Sequence, residues 1–232
     1  MTTAESPAIR PVTLVDQVVT VIKEQIRTGA LSPGDRIVEV PLARKLGVGQ
    51  NAVREGLIEL AHAGYVQRMA GRGTYVTKFS VEEVQKLAAV RRVLEHFAID
   101  LALQRVAQPP AVDFSPVRQI LDRMRRAASA LDHETFAESD IEFHRHLWAL
   151  TGNEFLAQSL ENLVVPLFVV SILLNLRKSD DPTELLEAVA FHETLTDHVE
   201  ARSPDSAHAA LDAVIEMSLS HYSNHLAATS NS

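Results

Sequence analysis

From Val12 onward apolar positions fall three and four residues apart. Leu14, Val18, Val21, Ile22 and Ile26 align on one side of a predicted helix, which Gly29 stops. Pro33-Gly34 then sets a tight turn. Residues 37–40 read as a short extended piece. Leu42, Ala43 and Leu46 predict a short helix that ends at Gly47. A second helix begins near Asn51, a residue type suited to an N-cap. Its apolar side carries Val53, Leu57, Ile58, Leu60 and Ala61, and Gly64 ends it. Residues 65–69 and 74–77 read as two strands around a tip that holds Gly71, Arg72 and Gly73.

Beyond residue 78 the pattern is helical throughout. Residues 81–106 place Val84, Leu87, Ala88, Val90, Leu94, Phe97, Ala98 and Leu101 along one side, and Pro109-Pro110 breaks the helix. Further helices are predicted over 115–131, 134–150, 154–176, 183–201 and 205–226, with a kink at Pro166. The most apolar run, 163–176, is shorter than the ~20 residues of a membrane span and holds Pro166, Ser171 and Asn175, so it reads as a buried helix. The fold class that follows is mainly α: a winged helix-turn-helix at the N-terminus, then an all-helical bundle able to enclose a cavity. The expected boundaries are a flexible N-terminus over 1–11, the winged unit over 12–78, the helical unit over 79–227 and a flexible tail over 228–232.

Composition sharpens this division. The chain has 232 residues, 46% of them hydrophobic, and no cysteine, which excludes a disulfide framework, a thiolate metal site and a cysteine nucleophile. The net charge of −8 argues at first against nucleic acid as a partner. That value averages two unlike parts. Residues 1–78 hold ten Lys/Arg against seven Asp/Glu, a net of +3; residues 79–232 hold twelve against 23, a net of −11. Eight of the nine glycines lie in the first part and nine of the ten histidines in the second. Residues 1–10 contain no apolar run, so neither a signal peptide nor a membrane partner is expected, and a cytoplasmic location is.

The second helix of a helix-turn-helix can enter a major groove about 12 Å wide and offer its N-terminal side chains to base edges, while a wing places cations at phosphate or the minor groove. Here the residues 42–48 (LARKLGV), Val53-Arg54-Glu55-Gly56-Leu57, Gly64-Tyr65-Val66 and 71–76 (GRGTYV) fall in sequence after a stretch ending in Leu31-Ser32-Pro33-Gly34. Together they resemble the DNA-binding domain of the GntR family of bacterial transcription regulators, over almost all of residues 12–78. The resemblance implies contacts to operator DNA through Arg44, Gly49, Gln50, Asn51, Arg54, Arg72 and Gly73. Where the family reads Ser-Arg-Thr-Pro this chain has Gly49-Gln50-Asn51-Ala52, and Gln or Asn suits adenine where Arg suits guanine, so a different operator is expected.

In the helical part, Asp140 and His144 stand one turn apart on one helix face, a spacing that lets carboxylate and imidazole reach one divalent ion. His192 on a later helix is a candidate third ligand. Val90-Arg91-Arg92-Val93-Leu94-Glu95, then Asp140-x-x-Phe143-His144, then Gly152-Asn153 and His192-Glu193-Thr194-Leu195 resemble the ligand-binding (FCD-type) domain of the FadR branch of the same family. That resemblance implies a metal held by one Asp and three His. Asp140, His144 and His192 match three of these positions; the fourth falls on Val214, which cannot ligate. The expected cofactor is a divalent zinc, nickel or manganese ion on three ligands. Arg91 and Asn153 are the candidate effector-binding residues, Arg91 as the partner of a carboxylate.

The function expected from both resemblances is an effector-responsive, DNA-binding transcription regulator, a repressor and a homodimer on near-palindromic double-stranded DNA, sensing a small organic acid. The chain is not expected to be an enzyme. Two readings stand beside it: a metal-dependent hydrolase using Asp140, His144 and His192, and a regulator whose pocket holds no metal.

Overall fold

The computed structural model describes residues 12–175 and 181–230; the expected flexible N-terminus over 1–11 lies outside them. The chain divides into two compact units that part between Val76 and Thr77.

In the first unit α1 (Leu14–Arg27) opens with a capping box: Thr13 accepts from the Asp16 N–H while the Asp16 carboxylate accepts from the Thr13 N–H. Val18, Ile22 and Ile26 are buried, but Leu14 is not. Positions four apart drift by about 40° around a helix of 3.6 residues per turn, which carries Leu14 off the packed face. α1 packs on α3 (Gln50–His62) at Gly56, where a Cβ would meet Val18 at 2.9 Å.

The extended piece expected over 37–40 is shorter and shifted. β1 is Arg36–Ile37, and α2 (Glu39–Leu46) begins at once. Pro41 fits there because the first four N–H groups of a helix need no intrahelical acceptor, and Glu39 suits the positive end of the helix. Gly47 ends α2 in the left-handed region at φ 68°, which favours glycine. α3 starts earlier than expected: Gly49, not Asn51, is the N-cap, and it offers no side-chain bond. Gln50 and Asn51 therefore lie inside the first turn. β2 (Val66–Met69) and β3 (Gly73–Val76) pair antiparallel, Val66 opposite Val76 and Met69 opposite Gly73. β1 adds to the other edge of β3, so the wing belongs to a three-stranded sheet, not the two-stranded one expected.

The second unit comprises α4 (Val81–Val106), α5 (Ser115–Ser129), α6 (His133–Ala149), α7 (Glu154–Asn175), α8 (Thr183–Glu200) and α9 (Pro204–Ser230). A Ser80/Glu83 capping box starts α4. Tyr222 of α9 fastens that start: its hydroxyl donates to Phe79 O at 2.7 Å and accepts from Phe79 N at 3.2 Å. α5 packs between α6 and α8, while α4 packs on α6, α7, α8 and α9. α7 runs unbroken through Pro166, and α9 continues to Ser230, beyond the expected end at 226. Among the described residues no helix is long and apolar enough to cross a membrane.

The single apolar side expected of α4 is in fact two faces. Val84, Ala88 and Ala98 are buried with Arg91, Glu95 and Ala102, whereas Val90 and Phe97 are half exposed at 50% and 49%. Periodicity alone ranks Val90 with the core; the structure turns that stripe outward.

Candidate functional site

In the first unit Arg44, Gly49, Gln50, Asn51, Arg54, Arg72 and Gly73 are all exposed. Gln50 and Arg54 sit one turn apart on α3 and share one acceptor. Glu39 Oε2 accepts from Gln50 Nε2 at 3.2 Å and from Arg54 Nη2 and Nε at 3.1 and 3.3 Å. The hydrogen bond from Arg54 holds the Glu39 carboxyl below its ordinary range. Glu39 was not foreseen from sequence, because nothing in its spacing from Arg54 marks the pair before α2 is folded against α3. At the wing the Tyr75 hydroxyl donates to Arg72 O at 3.1 Å and fixes the turn. Gly73, at φ 112°, faces Arg36 Nε, 3.3 Å from where a Cβ would stand, so Arg36 joins the tip as a cation the sequence did not single out.

In the second unit α6 and α8 bring Asp140, His144 and His192 together; each offers one ligand atom, all within 4.8 Å of one another. His144 and His192 are 1% and 3% exposed and Asp140 14%. His192 Nε2 lies 3.3 Å from His144 Nε2 and 3.0 Å from Asp140 Oδ1; His144 Nε2 lies 3.7 Å from the same oxygen.

The other ring nitrogens decide what these distances mean. His192 Nδ1 is 2.6 Å from Ala188 O. A carbonyl only accepts, so Nδ1 carries the proton and Nε2 presents a lone pair. His144 Nδ1 faces Glu95 Oε1 at 3.3 Å, again an acceptor. The His192 lone pair, His144 Nε2 and a carboxylate oxygen thus converge in a buried space. Three acceptors repel one another unless a proton or a cation lies among them. Consistently, Asp140 Oδ1 is buried without a well-formed hydrogen bond among the described residues. Nitrogen and oxygen donors of this kind suit zinc, nickel or manganese, and so the residues present fit a divalent ion.

A second layer surrounds this point. Arg91 and Glu95, each 1% exposed, form an ion pair of 2.7 Å between Nε and Oε2 one turn apart on α4. Trp148 Nε1 donates to Glu95 Oε1 at 3.2 Å. The Arg91 guanidinium stacks 4.7 Å from the Phe168 ring centre, and its Nη2 has no partner among the described residues. Burial raises the Glu95 carboxyl, but Arg91 and His144 outweigh it and hold it at about 2. Burial pushes His144 below its ordinary 6.5, which keeps it a neutral ligand.

Val214 is buried at 1% on α9 and supplies no donor. Asn153 caps α7: its Oδ1 accepts from Leu156 N at 3.1 Å. Glu95 faces His144 from α4, a tertiary contact that its visible spacing from Arg91 does not reveal.

The family model described as FCD domain matches residues 86–217, and that described as bacterial regulatory proteins, gntR family, matches residues 14–76. A protein of Paenarthrobacter nicotinovorans named as a probable D-xylose utilization operon transcriptional repressor is 27% identical over 208 residues, 90% of this chain and 88% of that one. The regulator LutR of Bacillus subtilis is 30% identical over 56% of this chain and 65% of its own. The solved structure of McbR/YncC of Escherichia coli superposes with a TM-score of 0.69 at 22% identity, covering 93% of this chain and all of that one. At that identity the likeness speaks for the fold. The curated relatives are named as regulators, which gives the hydrolase reading no support.

Proposed function

The chain belongs to the gntR family of bacterial regulatory proteins and carries an FCD domain, and from that premise we propose that this transcriptional regulator is a repressor. It senses a small carboxylate through a divalent ion. The observation that carries the sensing part is the convergence of Asp140, His144 and His192 on one buried point with the unpaired Arg91 Nη2 in the layer around it. With neutral imidazoles, Arg91, Glu95 and Asp140 sum to one negative charge. A divalent cation reverses that sign, and a monocarboxylate then neutralises the pocket, bonded to Arg91. When bound, the ion supplies a Lewis-acidic site for the carboxylate. Asp140, His144 and His192 hold it; Arg91 orients the anion; Phe168 and Trp148 exclude water.

On the DNA side, Gln50, Asn51 and Arg54 read base edges from the first turns of α3, Arg44 and Arg72 meet phosphate, and Gly49 and Gly73 let backbone approach closely. Two copies of the chain, in the cytoplasm, bind a near-palindromic operator. The outward stripe of α4 supports pairing with a second copy: Leu87, Val90, Leu94, Phe97 and Leu101 alternate by three and four, and Val93 is 69% exposed. Lys86 and Asp100 lie seven residues on either side of Val93. An antiparallel pairing centred on Val93 sets each lysine against the copy's aspartate, as a twofold interface requires.

The test is fluorescence anisotropy on duplex DNA from upstream of the chain's own gene, first after chelation, then with zinc, then with zinc and a panel of carboxylates. A ligand that works should weaken operator binding by about 5–150-fold, the usual range of allosteric coupling. Binding indifferent to every addition contradicts the sensing part, and no sequence-specific binding contradicts the operator part.

A further inference from the structure

The metal ligands are set by the atoms behind them. His192 is oriented by the main chain, through Ala188 O. Among the described residues His144 Nδ1 meets no such carbonyl; what faces it is the Glu95 carboxylate, with Oε1 3.3 Å away and off the line of a well-formed hydrogen bond. Glu95 is itself fixed from two further sides, by Arg91 on Oε2 and by the Trp148 indole on Oε1. It cannot swing away without leaving Arg91 buried and unpaired. We propose that Glu95 is a positioning residue for the cation: it holds the His144 proton on Nδ1, so that the Nε2 lone pair points at Asp140 and His192.

The argument is one of proton placement. A neutral imidazole has one N–H, on either nitrogen. On Nε2 it would block the ligand position; on Nδ1 it frees it. A buried carboxylate that only accepts selects the second state, and it also raises the basicity of the ligating nitrogen. With Val214 in place of a fourth ligand, the site depends more heavily on the three that remain, and the outer carboxylate becomes part of what makes three sufficient. The inference rests on the reading of Asp140, His144 and His192 as a metal centre, and it names the residue that tunes that centre.

Two measurements on the full chain test it. Long-range proton–nitrogen spectra of the metal-free protein report the tautomer of each histidine, with His144 assigned by loss of its signals in His144→Gln. The expected state is protonated Nδ1 and bare Nε2; protonated Nε2 on His144 overturns the proposal without recourse to any pocket variant. Cobalt(II) titration, followed by its visible absorption, then compares the wild type with Glu95→Gln. Loss of the outer carboxylate should weaken cobalt binding by about 10–100-fold, the usual cost of removing such a partner. Equal affinity and an equal spectrum overturn the inference alone, whereas a wild type that binds no cobalt overturns the metal reading and this inference with it. If Glu95→Gln does not fold because Arg91 is left alone, Arg91→Met with Glu95→Gln removes both charges together, a change buried pairs often tolerate. The same fall in cobalt affinity is expected there.

Discussion

Arg54 is poised before any DNA arrives. Its guanidinium and the Gln50 amide are bonded to one oxygen of Glu39, so the two side chains proposed to read base edges share a fixed support. Arg54→Ala should therefore lower operator affinity by about 10–100-fold, the scale of one good base contact. A gel shift on the upstream duplex checks this, and undiminished binding removes Arg54 from the interface. In the other unit the residues make acid the destabilising direction. His144 is held below 6.5 and Glu95 at about 2 against its ordinary 4.5. Both folded-state values lie below the unfolded ones, so the unfolded chain binds more protons. The stability they contribute is complete above about pH 6.5 and is lost as pH falls. Circular-dichroism melts of metal-free protein should show a midpoint that declines from pH 7 toward pH 4; a midpoint that rises on acidification contradicts the neutral-histidine pocket. At this scale the sequence was partly legible. Asp140 and His144 announce themselves by helical spacing, and Arg91 and Glu95 share that spacing. What spacing does not carry is that α4 and α6 pack so as to set Glu95 behind His144, because the pair meets only through tertiary contact.

The elements teach a related point through α4 and α2. α4 was predicted with its limits correct at 81–106, yet its apolar positions were assigned to one side. An apolar residue reports that it is to be covered, not by what. Val84, Ala88 and Ala98 are covered by the same chain, while Val90, Val93 and Phe97 are left outward. Val93→Glu at the centre of that stripe should shift the chain from dimer to monomer in sedimentation equilibrium while leaving its helical content unchanged. A variant that stays dimeric places the interface elsewhere. In the winged unit the misplaced extended segment has a local cause: Pro41 was compatible with a helix start because that position needs no N–H. Gly56 shows the reverse, a packing constraint with no periodic signature. Gly56→Ala puts a methyl at 2.9 Å from the stiff Val18 side chain. It should cost about 1–3 kcal/mol of stability, read as a lower melting midpoint of the full chain; an unchanged midpoint means α1 and α3 yield without cost.

For the whole molecule, the net charge of −8 misleads because it sums a +3 part and a −11 part. The +3 is modest for a DNA-binding unit, so affinity has to come from two copies acting on one duplex. Two heads making about 6–10 phosphate contacts between them should lose about 10³–10⁵ in affinity between 50 and 200 mM salt. A shallow salt dependence in anisotropy titrations contradicts paired binding through the winged units. The claim on which the account turns is the buried cation site, and the most direct measurement is isothermal calorimetry of zinc against the metal-stripped full chain and its isosteric Asp140→Asn variant. One ion per chain is expected for the wild type, with a fall in affinity for the variant exceeding the about 10–100-fold that follows loss of a group behind a ligand. A wild type that takes up no ion, or an Asp140→Asn chain that binds zinc equally well, contradicts it.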